Sequence, residues 1–129
     1  MDSNSGKENL VTDPVFDFSN TLNNLDGDQE LLKDLVFLFI EDAPNHLNAL
    51  KTAISEASID NIKHHAHTLK GASANIGARQ MQEQAVKLEQ AAAEQDLATA
   101  STHVTTLHTQ FDELVQAASG LDWSNLAHV

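Results

Sequence analysis

Between Asp28 and Ile54 the apolar residues Leu32, Leu35, Val36, Phe39, Ala43, Leu47, Leu50 and Ile54 fall three and four positions apart. That spacing gathers them on one face of a helix, and such a face needs other helices to cover it. The pattern then returns three times: Ile62, Ala66, Leu69, Ser73 and Ile76; Met81, Ala85, Leu88 and Ala92; Leu97, Val104, Leu107, Phe111, Leu114 and Ala118. No stretch alternates with the period of two that a strand requires, and no internal repeat is present. Four amphipathic segments joined by short turns predict an all-α fold, an antiparallel up-down four-helix bundle.

Local signals set the expected boundaries. Ser19 is read as the cap of a short extra N-terminal helix over 19–25, ended by Asp26-Gly27. Ser58 or Asp60 would cap the second main helix and Gly77 would end it; the last helix would start near Asp96 and stop at Gly120. Pro44 falls inside the first long pattern, where it either kinks one helix or opens a second. Residues 1–13 are polar and acidic and read as a flexible arm, 14–120 as the bundle, and 121–129 as a C-terminal tail. Phe16 and Phe18 are expected to pack across one end of the bundle.

Composition narrows the partners. The formal net charge is −12, from 19 acidic against 7 basic residues, which argues against nucleic acid and anionic lipid. The chain lacks cysteine, which removes disulfides, zinc–thiolate sites and thiol chemistry. The longest apolar run, residues 35–40, is too short to span a bilayer, and no signal peptide is recognisable. A cytoplasmic monomer is the expectation, and Met1 with its polar arm favours a free-standing protein.

The chemistry concentrates on His67. On a helix, Lys70 and Gly71 lie one turn beyond it on the same face, and Ala74 follows at the second turn. Lys63, His64, His67, Lys70, Gly71 and Ala74 form an outward row beside the buried stripe, with His67 about 100° around from Ala66. Lys63, Lys70, Arg79 and Lys87 place four of the seven basic residues near this row in an otherwise acidic chain. A phosphoryl group carries roughly −1.5 to −2 charges. Lysine can pair with it without the bidentate grip of arginine, and glycine leaves room beside the imidazole. An imidazole with a pKa of about 6.5 keeps a free nitrogen near neutral pH. The row therefore reads as a histidine that takes up and releases phosphate.

Two other readings compete. His67 can be a polar residue at the edge of a helical seam, in a bundle that only scaffolds partners. Alternatively His64 and His67, with His65, His103 and His108, can bind a metal. Zinc wants three or four converging ligands, a lysine one turn away opposes a dication, and His65 points to another face. The expectation is no metal site. Ordinary enzyme chemistry has no support: there is no Ser-His-Asp spacing and no phosphate-cradling glycine loop.

The segment Ala66-His67-Thr68-Leu69-Lys70-Gly71-Ala72-Ser73-Ala74-Asn75-Ile76-Gly77-Ala78 resembles the signature of histidine-containing phosphotransfer (HPt) domains of bacterial multistep phosphorelays. Phe16-Asp17, Gly27-Asp28 with Glu30-Leu31-Leu32, Phe39, Pro44, Leu50, Ala53, Asp60 and Leu88-Glu89 extend the resemblance over about residues 14–118. It implies a four-helix bundle without kinase or phosphatase activity, in which His67 carries phosphate between receiver-domain aspartates. Lys70 would be the electrostatic partner of the phosphate and Gly71 the clearance residue. The implied partners are response-regulator receiver domains and a hybrid sensor histidine kinase, with Mg²⁺ on the receiver and no cofactor on this chain. Some family members have glutamine near the phosphate where this chain has Glu89, which either bonds the imidazole or faces solvent. The dimerisation helix of histidine kinases fits poorly, since Thr68, Leu69 and Lys70 follow the histidine in place of an acidic residue.

Residues 35–40 are apolar around more of the helix than one buried face uses. Phe37, Leu38 and Ile40 are read either as covered by the segment carrying Phe16 and Phe18, or as a patch that docks a receiver domain. In the docking reading Lys63, His64, Lys70 and Ala74 form its rim.

Overall fold

A computed structural model describes residues 15–124 and 126. Among these residues five helices follow in order: α1 (Phe18–Asn24), α2 (Gln29–Ser55), α3 (Ile59–Asn75), α4 (Arg79–Ala93) and α5 (Leu97–Gly120). Helices α2 to α5 form the antiparallel bundle, each packing on its two neighbours, α2 closing against α5; α1 touches one end of α2. The expected arm over 1–13 lies outside the described residues.

The expected stripes are the core. Leu32, Val36, Phe39, Ala43, Leu47 and Leu50 of α2 are buried, as are Ile62, Ala66, Leu69 and Ser73 of α3 and Met81, Ala85, Leu88 and Ala92 of α4. Leu35, Ile54, Leu97 and Phe111 sit at the margin, partly covered. Pro44 does not divide the first pattern: α2 runs through it for 27 residues. Proline has no N–H to offer the carbonyl one turn earlier. Apolar packing on both sides of that missing bond keeps the helix in one piece.

Aspartates cap three of the helices, with one correction to the expected caps. Asp28 accepts from the Leu31 N–H at 2.9 Å and Asp96 from the Thr99 N–H at 3.1 Å. Ser58 sits at the cap position of α3 without a side-chain capping bond. The cap of α1 is Asp17 rather than Ser19, because the Asp17 carboxylate accepts from the Ser19 N–H at 3.2 Å.

The three turns of the bundle share one geometry. Each central residue has a left-handed backbone: Ala57 (φ 54°), Gly77 (φ 72°) and Gln95 (φ 59°). In each turn the next N–H returns to a carbonyl five residues back, Ser58 to Ala53, Ala78 to Ser73 and Asp96 to Ala91, all at 2.9 Å. These bonds satisfy carbonyls that a helix end leaves without partners. Only the middle turn uses glycine, and the reason is contact. A Cβ on Gly77 would strike the Asp17 carbonyl oxygen and lie 2.8 Å from Thr21 Oγ1. The Asp17 N–H donates to the Gly77 carbonyl at 2.7 Å, and Arg79 Nη2 reaches Asp17 Oδ2 at 2.6 Å.

Phe16 and Phe18 are buried and stacked, with ring centroids 4.8 Å apart. Trp123 packs on Phe18 at 6.1 Å and on Phe37 at 5.8 Å, and Leu126 is buried. Part of the segment expected as a tail is therefore packed on the bundle end.

Candidate functional site

Helices α3 and α4 meet through small and slender side chains, with Ala66, Leu69 and Ser73 buried on one and Ala85, Leu88 and Ala92 on the other. Separation between packed helices follows the size of the side chains at the contact. A short seam lets residues at its edge reach across, and His67, Lys70 and Glu89 do so. Ser73 keeps its hydroxyl inside α3 by donating to the Leu69 carbonyl at 2.6 Å, so this polar residue enters the seam satisfied.

His67 projects from α3 with its side chain 68% exposed, as its offset from Ala66 predicts. Its Nδ1 lies 3.1 Å from Glu89 Oε2 on α4, while Lys70 Nζ lies 2.9 Å from Glu89 Oε1. One carboxylate thus bridges the histidine and the lysine, each through its own oxygen. The hydrogen bond from Lys70 holds the Glu89 carboxyl below its usual range; burial pushes the other way and the bond from His67 adds to the lowering. An ionised carboxylate can only accept, so Nδ1 of His67 carries the proton and donates it to Glu89. In the neutral ring the lone pair then sits on Nε2. Of the two positions open for Glu89 in the sequence, the bonded one is occupied.

Lys63, His64, Gly71 and Ala74 are exposed, as the outward row requires, and Lys70 is half-buried against Glu89. A Cβ built on Gly71 would meet nothing within 4 Å, so free space lies beside His67 one turn along.

The apolar residues of α2 separate from one another. Leu38 is 58% exposed and lines a groove of about 380 Å³ between α2 and α3 with Leu35, Phe39, Ala72 and Ile76. Phe37 is 41% exposed, and its ring leans on Trp123 rather than on Phe16 or Phe18. Ile40 is partly buried against the core, one turn from buried Val36 and Ala43 on the same helix. In the sequence Ala72 and Ile76 stand out only as part of the histidine motif and the buried stripe; that they face α2 depends on how the helices are rotated together.

Among the described residues no group of three or more histidine, aspartate and glutamate side chains converges as metal ligands would. No helix there is long and apolar enough to cross a membrane.

Comparison with known proteins agrees with the geometry. No curated protein matches the chain. The solved structure of histidine-containing phosphotransfer protein B (HptB) from Pseudomonas aeruginosa PAO1 superposes with a TM-score of 0.75 at 23% identity, covering 84% of this chain and 94% of that one. That likeness establishes the helical fold. The sequence profile of the Hpt domain matches residues 34–118, well over half of the chain and including His67, Lys70, Gly71 and Glu89. The chain therefore belongs to the histidine-containing phosphotransfer domain family.

Proposed function

We propose that His67 is the phosphoryl carrier, accepting the group from the aspartate of one receiver domain and passing it to the aspartate of another. The observation that carries this reading is the exposed imidazole whose Nδ1 is held by Glu89 at 3.1 Å, leaving Nε2 with the lone pair to act as the nucleophile. In the forward step the Nε2–P bond forms as the aspartyl O–P bond breaks, and the carboxylate leaves. In the second step another carboxylate attacks phosphorus and the imidazole leaves. The Glu89 carboxylate stabilises positive charge that develops on the ring as Nε2 bonds to phosphorus.

Lys70 is the phosphate's charge partner. Before phosphorylation it is neutralised by Glu89, and an incoming group of roughly −1.5 to −2 charges competes for its ammonium. Gly71 gives the clearance, since the space beside it is open. Magnesium belongs to the receiver in this scheme, and the chain itself is neither kinase nor phosphatase. The partners are receiver domains and a hybrid sensor histidine kinase, met in the cytoplasm by a monomer. Lys63, His64 and Ala74 form the docking rim, with Leu38 and the α2–α3 groove as its apolar part. Phe37 joins through its exposed edge.

The test is intact mass after incubation with phosphoramidate, comparing wild type with His67→Gln. A single acid-labile phosphoryl adduct, absent from the variant, is expected. No adduct, or an equal one on the variant, would overturn the assignment and leave a scaffold.

A further inference from the structure

Two residues before His67, and so about 200° around α3, a second histidine contact joins α3 to α2. His65 Nδ1 lies 3.0 Å from Nδ1 of His46, with ring centroids 5.2 Å apart. His46 Nε2 lies 3.4 Å from Asp42 Oδ2, one turn earlier on α2. On α3 itself the His64 ring stands edge-on to His65 at 4.9 Å. The α5 histidines are engaged elsewhere, His108 Nε2 lying 3.2 Å from the Leu47 carbonyl oxygen and His103 bonding Gln84. None of these contacts is used by the phosphoryl site.

Two ring nitrogens at this distance need one proton between them, since one ring donates and the other accepts. A neutral pair meets that requirement. So does a pair with one added proton, in which the charged ring donates to the neutral one. A second added proton cannot be accommodated. Two imidazolium rings would set N–H against N–H with like charges in contact, and the rings would have to part. Burial, followed by the neighbouring His46 and His64, lowers the pKa of His65 from its ordinary value.

We propose that His46 and His65 form an acid-opened latch between α2 and α3, closed while the two rings hold at most one added proton and opened when both are charged. The helix it releases from α2 is the one that carries His64 and His67 on its other side. The inference goes beyond the phosphocarrier reading and does not require it.

The direction with pH follows from linkage. The unfolded chain, with His65 at its ordinary value, binds more protons than the folded one, so this contribution to stability is intact above that value and is lost below it. The latch makes the unfolding constant rise by up to about tenfold per pH unit below about pH 6.5, until the folded His65 itself titrates.

The experiment is urea unfolding of the full chain at about pH 7.5, 6.5 and 5.5 for wild type, His65→Gln and His46→Gln, alongside an NMR titration of the wild-type histidine rings. A shallower loss toward acid in both variants, with wild-type His65 charging below its ordinary value, is expected. Unchanged steepness in both variants, or a wild-type His65 that titrates like a free histidine, would overturn the latch. Should a variant fail to fold, the wild-type ring titration alone decides. No phosphorylation is involved, so failure here leaves the role of His67 untouched.

Discussion

Replacing Gly77 by alanine separates two costs that usually arrive together, backbone strain and steric contact. The position has φ +72°, and a left-handed alanine costs about 1 kcal/mol. At Gly77 the new methyl also meets the Asp17 carbonyl oxygen and Thr21 Oγ1. Relieving that contact pushes the N-terminal segment outward, strains or breaks the 2.7 Å bond from Asp17 to the Gly77 carbonyl, and disturbs buried Phe16 and Phe18. Overpacking of this kind costs about 1–3 kcal/mol. The expected total is about 3 kcal/mol, near the sum of the two effects. Gly27 supplies the control, because its φ of +77° imposes the same strain while nothing lies within 4 Å of where its methyl would stand. Gly27→Ala should lose only about 1 kcal/mol. Urea unfolding followed by the fluorescence of Trp123, which packs against Phe18, reads both variants with a probe at the affected end. With a slope of about 1.5 kcal/mol/M, the midpoints should fall by about 2 M and about 0.7 M. Equal losses in the two variants would refute the contact argument and leave only strain.

Glu89→Gln should cost less than about 1 kcal/mol, the range of partly exposed ion pairs. That difference is present above the ordinary carboxyl pKa of 4.5 and fades as acid protonates the depressed folded group. Urea unfolding at neutral and at acid pH checks this, and an equal difference between wild type and variant at the two would contradict the charge pairing. Ala74→Glu, on the exposed rim, should leave the unfolding free energy within about 0.5 kcal/mol of wild type yet slow phosphoryl exchange with a receiver domain. Normal exchange rates would remove Ala74 from the docking face.

The helices were legible because their stripes are regular and because aspartates stand at two of the long helices' starts, Asp28 and Asp96. Pro44 was not decidable from sequence, since its local cost has to be weighed against packing along the whole of α2. Trp123 and Leu126 give no periodic signal, so the packing of their segment on the bundle end emerges only once the helices are assembled. The exposed histidine row was legible for a related reason: a single helix fixes which residues share a face. The Glu89 bridge and the His46–His65 contact were not, because each joins two helices and depends on their mutual rotation. Gly77 falls between these cases. Its left-handed turn was foreseeable, whereas the need for glycine there and not at Ala57 or Gln95 arises only from the passing N-terminal segment.

His67, Lys70 and Glu89 all stand within regular helix, and none is held by a loop. In the proposed carrier, exchanging Lys70 from carboxylate to phosphate would therefore ask only for side-chain rotations, which take picoseconds to nanoseconds, whereas lids and domain hinges move in about microseconds to milliseconds. A carrier built this way has no internal clock. The tempo of a relay passing through it is set by how often receivers arrive and how long they stay, so solvent viscosity and partner concentration, rather than any rearrangement of the bundle, would govern the signal's speed.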